Sequence, residues 1–202
     1  MTHHCHFLNS KKIFALTRIY SSQYLNKVLS TIKQFLEFKG YDSDKFKPMQ
    51  ITMYPGVHPS GLHCWNGSLC TSYASTNNNQ QIRLYNCADS LKLMKLQEIM
   101  IHECTHCYQH RCGHLAKPLT RLERAEQWDN SPLEQEAEAM RLEFVEYIKT
   151  QKLRVDSTLC NNIATLLRTN LMFKHKITFD VTGNGVVYFD DYECTPSPRT
   201  KE

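Results

Sequence analysis

No stretch of this chain approaches the roughly 18 consecutive apolar residues of a membrane span. The segment Ile13 to Ile19 is short and interrupted by Arg18, so no secretory leader is expected either. There is no Gly-rich phosphate loop, no internal repeat and no long Lys or Arg run. The net charge of +4 is mild, so it neither points to a nucleic-acid partner nor rules one out. A disulfide framework is also missing. The nine cysteines are odd in number and irregularly spaced, which fits a cytosolic protein with ordinary thiols. Cys64 and Cys70 flank Asn66-Gly67 and could face each other across a hairpin.

What is present fits one globular domain over residues 1–202, with 1–15 and 191–202 expected to be flexible. Hydrophobic residues make up 41% and charged residues 22%, enough of each for a sizeable core under a solvated surface. The histidines of His3-His4-Cys5-His6 read as those of a flexible terminus rather than as a site.

The informative run is His102-Glu103-Cys104-Thr105-His106, an H-E-x-x-H pattern. Histidines four apart lie about 40° apart around a helix, at roughly 100° per residue, so both imidazoles can reach one ion. A Glu directly after the first His can take a proton from a metal-activated water. The surrounding helix is expected to start at Asp89 or Ser90 and stop at Gly113. Leu93, Leu96, Met100, Cys104 and Cys107 form its apolar stripe. His102 and His106 lie on nearly the opposite face with Lys95, Glu98, Ile99, Thr105 and Gln109, so that face should look into a cleft.

Zinc needs a third protein ligand and keeps a fourth position for water. Three candidates stand out. One is on the helix that Ser131 caps, where Pro132 suits the first position and Glu134 completes a capping box. Its stripe is Leu133, Ala137, Met140, Phe144, Tyr147 and Ile148. Glu134 and Glu138 point well away from the stripe, whereas Glu136 lies at its edge, about 40° from Met140. A carboxylate at a buried border needs a partner, so Glu136 is the preferred ligand, with an Arg or Lys partner as the alternative. His110 is a second candidate, but a straight helix cannot bring three successive turns, each about 5.4 Å further on, to one ion. His114 is a third, if Gly113 turns the chain back. The metzincin pattern H-E-x-x-H-x-x-G-x-x-H nevertheless fails, because Gln109 and Cys112 occupy its Gly and last His positions.

The H-E-x-x-H run followed by Pro132-Leu133-Glu134-Gln135-Glu136-Ala137-Glu138 resembles the gluzincin-type zinc metallopeptidases. It is similar in size and layout to small, minimal-scaffold members, including the ImmA/IrrE-like proteins of bacteria, mobile elements and phages. The resemblance spans roughly residues 80–150. It implies Zn²⁺ as cofactor, His102, His106 and Glu136 as ligands, Glu103 as general base, and a protein or peptide as substrate. Thermolysin-like members carry an acidic residue four positions after the Glu ligand, and Met140 stands there. The orienting partner should therefore be Glu143 or a backbone carbonyl. Tyr85, Tyr108, Tyr147 and His175 are the options for stabilising an oxyanion.

Elsewhere the pattern predicts a helix over Ser21 to Lys39 ending at Gly40, a polar linker over 41–48 and a strand over Met49 to Tyr54. A hairpin about Asn66-Gly67 follows (Leu62 to Trp65 with Leu69 to Tyr73), then a polar loop over Ser75 to Gln80 and a strand over Gln81 to Tyr85. By resemblance, that last strand lines the cleft and pairs with substrate backbone. A short helix near Leu122 to Trp128, another over Asp156 to Phe173, and a hairpin of Lys176 to Val181 with Val186 to Phe189 complete the chain. The expected fold is α+β, with helices on a small, mostly antiparallel sheet, and zincin-like by resemblance. The expected function is metal-dependent peptide hydrolysis. The alternatives are a non-catalytic zinc-stabilised binding protein, or an SprT-like nucleic-acid-associated protease in which His114 would be the ligand.

Overall fold

The computed structural model of the protein describes residues 10–54, 62–65, 68–71, 74–85, 96–112, 131–151, 153, 158, 162, 165, 177–181 and 187–188. Helix α1 covers Ser10–Phe38. It starts before the expected Ser21 and runs through part of the 1–15 segment expected to be flexible. Its inward residues Tyr24, Leu25, Val28, Ile32, Phe35 and Leu36 recur at helical spacing and are all buried. Gly40 ends it with φ of 80°, a left-handed conformation that glycine adopts without Cβ strain. The Tyr41 amide closes the end on the Leu36 carbonyl at 2.8 Å.

The stretch read as a polar linker folds instead. Ser43–Phe46 is a 3-10 turn, capped by the Asp42 side chain on the Asp44 amide. Phe46 is buried and stacks on Tyr108, ring centres 4.4 Å apart. One apolar residue among polar neighbours is too little for a periodicity argument to detect.

Strands β1 (Gln50–Met53), β2 (Leu62–Trp65), β3 (Ser68–Thr71), β4 (Ala74–Thr76), β5 (Gln81–Leu84), β6 (Ile177–Asp180) and β7 (Val187–Tyr188) follow. Helices α2 (Leu96–Arg111) and α3 (Pro132–Thr150) lie between β5 and β6. The fold is thus α+β. The main sheet is five-stranded in the order β4-β5-β1-β6-β7 and is mixed. β1 and β5 run parallel, while β4–β5, β1–β6 and β6–β7 are antiparallel. β2 and β3 form the expected hairpin as a separate sheet. Its register pairs Cys64 with Leu69 and Cys70 with His63, so the two cysteines are not cross-strand partners.

The core lies between the sheet and the helices. Ile51, Met53, Ile82, Leu84, Ile177 and Phe179 bury against α1 and α2 residues in one continuous cluster. α3 closes the far side through Phe144, which meets Phe35 edge-on with ring centres 5.3 Å apart. Lys39 clamps the same junction with a 2.7 Å ion pair to Glu143. Among the described residues, no helix is long and apolar enough to cross a membrane. The expected helix at 122–128, the start of α2 at 89–90, the tail 191–202 and His3 to His6 lie outside the described residues. So does most of the expected helix at 156–173.

Phe144 is fully buried and Leu142 is 55% exposed two residues away. Phe144→Ala should therefore cost about 3–5 kcal/mol in urea unfolding, and Leu142→Ala about 0.5 kcal/mol or less. Equal effects would contradict the packing of α3 described above.

Candidate functional site

Helix α2 is buried on more than its apolar stripe. Leu96, Met100, Cys104 and Cys107 face the core as their spacing predicts. Ile101, Glu103, Thr105 and Gln109 are buried as well, so the face expected to open on a cleft is covered at Thr105 and Gln109 and partly exposed at Glu98, Ile99, His102 and His106. Burying these polar side chains is tolerable only because each has a partner. The Thr105 hydroxyl donates to the Ile101 carbonyl at 2.9 Å. The Thr76 hydroxyl lies 2.6 Å from Glu103 Oε2, as donor, and 3.2 Å from the Glu103 carbonyl. Thr76 belongs to β4, the edge strand beside α2, in a stretch the sequence reading treated as loop. β5, expected to receive a substrate strand, is instead enclosed between β1 and β4.

His102 and His106 remain partly open, with 22% and 14% of their side chains exposed. Their rings meet edge-on, and their Nε2 atoms are 3.2 Å apart. The third group at this point is Glu134, not Glu136. Glu134 Oε2 is 3.2 Å from His102 Nε2, and its Oε1 is 3.3 Å from His106 Nε2. The three residues form a set that could hold a metal ion, with ligand atoms all within 4.8 Å of one another. Tetrahedral zinc with bonds of about 2.0–2.1 Å spaces its ligand atoms roughly 3.3 Å apart, so these separations fit the ion.

Glu136 is placed differently. It is an exposed residue whose carboxylate accepts a 2.8 Å hydrogen bond from Gln109 Nε2. Glu134, expected to point well away from the apolar stripe, lies about 60° from Ala137 by helical-wheel arithmetic and so borders the edge opposite Glu136. Only the packing of α3 on α2 decides which edge faces the histidines. The expected capping box does not form either. Ser131 caps without a side-chain hydrogen bond, and the Glu134 carboxylate is engaged by the histidines.

The surrounding groups also differ from expectation. Glu143 is taken by Lys39, away from the site. Glu138 approaches His102 instead, with Oε2 3.9 Å from Nδ1. Counting from Glu134, it is the acidic residue four positions on. Arg141 grips the Glu138 carboxylate with two bonds, 2.8 and 2.6 Å long, and also reaches Glu98 on α2. Of the tyrosines considered, Tyr108 packs on Phe46 and Tyr147 on Phe35. The buried Tyr85 has its hydroxyl 3.3 Å from that of Ser75. His110 is partly exposed and outside the cluster, and His114 and His175 lie outside the described residues.

Electrostatics follow from this packing. Burial alone would raise the Glu134 pKa, but hydrogen bonds and charge from His102 and His106 outweigh it and hold the carboxyl at about 2. Burial opposes charging of His106, yet Glu134 and Glu103 raise it to about 9. Glu103 is raised by burial, against the lowering influence of His106, the Thr76 hydroxyl and His102, with Glu134 adding to the rise. Burial pushes Cys107 up to about 12 and Cys104 well above its usual value, so both behave as core thiols.

No protein-family model, curated protein or solved structure matches the chain.

A metal held at this point should be lost from His102→Ala and Glu134→Ala and retained by Glu136→Ala, read as zinc per chain by elemental analysis after loading and desalting. Loss in Glu136→Ala with retention in Glu134→Ala would reverse the assignment.

Proposed function

We propose that this chain is a zinc-dependent metallopeptidase of the gluzincin kind on a zincin-like scaffold. His102, His106 and Glu134 are its metal ligands and Glu103 its general base. One observation carries the reading: two histidine Nε2 atoms and a carboxylate converge at 3.2–3.3 Å beside a buried second carboxylate. The donor set of two His and one Glu is the kind that catalytic zinc uses, and the remaining exposure of all three side chains suits a site left open for substrate. A closed structural site would be expected to hide them.

Zinc bound there would polarise a peptide carbonyl and bring a water to a pKa of about 7. Glu103 takes the proton from the attacking water and returns it to the leaving amine. Its raised pKa brings the carboxylate closer to the neutral range, where a group can both accept and return a proton. Thr76 holds the Glu103 side chain from the edge strand. Glu138, held by Arg141, supports His102 from the Nδ1 side. The free thiols of Cys104, Cys107 and Cys112 suit a cytosolic setting.

Glu103→Gln should keep zinc and lower hydrolysis of a fluorogenic peptide library by about 10²–10⁴-fold. Retained hydrolysis would remove Glu103 from the role. Thr76→Val tests the same group by pH. The Thr76 bond favours the charged carboxylate and so lowers the Glu103 pKa. Without it the base loses its proton only at higher pH, and the acid limb of kcat/KM should move upward. An unmoved limb would mean that Glu103 is not the group titrating there.

A further inference from the structure

Gln109 has no exposed surface, and its amide joins three parts of the site. Nε2 donates to the Leu133 carbonyl at 2.9 Å and to Glu136 Oε2 at 2.8 Å. Oε1 lies 2.7 Å from His106 Nδ1. An amide can be flipped end for end, so its polarity must be argued from its partners. The Leu133 carbonyl can only accept, and so can an ionised Glu136. A flipped amide would set its oxygen against two acceptors in a buried place, which is costly. Gln109 therefore presents Oε1 to His106, and the ring nitrogen facing it must carry the hydrogen.

We propose that Gln109 is a positioning residue whose amide keeps a hydrogen on His106 Nδ1, so that Nε2, the nitrogen facing His102 and Glu134, is the one that gives up its proton to a cation. The same amide pins the Leu133 carbonyl, one residue before Glu134, so it also sets the turn of α3 that brings the carboxylate to the histidines. Glu136 then has a role without touching the cluster: it fixes which way the Gln109 amide faces. The Nδ1 hydrogen stands on these hydrogen bonds alone, and only its consequence for zinc rests on the proposed metal site.

Long-range proton–nitrogen NMR of metal-free protein at neutral pH reads whether His106 Nδ1 carries a hydrogen and whether that hydrogen is held in a bond. Wild type should show a slowly exchanging Nδ1–H shifted downfield, and Gln109→Leu should lose it or leave it exchanging freely. A wild-type Nδ1 without a hydrogen, or an unchanged Nδ1–H signal in Gln109→Leu, would overturn the proposal. Zinc affinity, read by chelator competition, should fall about 10–100-fold in Gln109→Leu. Gln109→Met, close in volume but without a hydrogen-bonding group, should lose affinity likewise and serves if Gln109→Leu does not fold. Wild-type affinity in folded Gln109→Leu or Gln109→Met would leave Gln109 as packing only. Failure of wild type to bind zinc would instead remove the metal reading, with the NMR result still deciding on Gln109.

Discussion

Two imidazole Nε2 atoms 3.2 Å apart cannot both turn a bare lone pair on the other, so a proton or a cation has to lie between or beside them. Everything around α2 serves that constraint. A carboxylate on α3 faces both rings, a glutamine fixes the far side of one ring, and a second carboxylate approaches the far side of the other. The opposite shifts of Glu134, to about 2, and His106, to about 9, describe the same fact in protonic form. A depressed carboxyl stabilises the fold above its ordinary 4.5, and that contribution is lost as pH falls toward 2. A raised imidazole stabilises the fold below its ordinary 6.5, and that contribution is lost as pH rises through 9. A proton thus stands where the proposed cation would sit, and metal binding at neutral pH would have to displace it.

The second constraint is that α2 passes through the interior with its polar side buried. Cys104 and Cys107 pack as small apolar residues. Thr105 bonds back along the helix, Glu103 is met by the edge strand, and Gln109 by α3. Two elements distant in sequence, β4 and α3, therefore have to be in place before α2 can be buried without stranded polar groups. Arg141 adds a further tie, reaching from α3 to Glu98 near the start of α2.

How much of this was legible beforehand depended on whether local spacing decides the feature. The H-E-x-x-H pair, the α1 stripe ending at Gly40, the hairpin at 66–67 and the strands at 50–53, 81–84 and 177–180 all rest on local periodicity or turn chemistry. The 3-10 turn at 43–46 and strand β4 escape a periodicity argument because each is short and mostly polar: the turn depends on its Asp42 cap and on packing of Phe46, and β4 on pairing with β5. The mixed character of the sheet depends on β1 lying parallel to β5, a long-range pairing that no window of sequence reveals.

The choice between Glu134 and Glu136 shows where the limit lies. Both carboxylates border one apolar stripe, and the pattern Glu-Gln-Glu gives no reason to prefer either flank. The preference for Glu136 rests on its nearness to Met140, on placing Glu134 well away from the stripe, and on the resemblance to gluzincins. The deciding fact is the placement of α3 against α2, which puts the Ala137 flank toward the histidines and the Met140 flank toward Gln109. The resemblance offers one signal that bears on the proposed ligand: an acidic residue four positions after it. Glu136 lacks it, because Met140 stands there. Glu134 has it in Glu138, whose carboxylate Arg141 holds 3.9 Å from His102. A missing support for the preferred residue was thus evidence for its neighbour, since a ligand histidine needs its second nitrogen oriented as much as its first nitrogen bound.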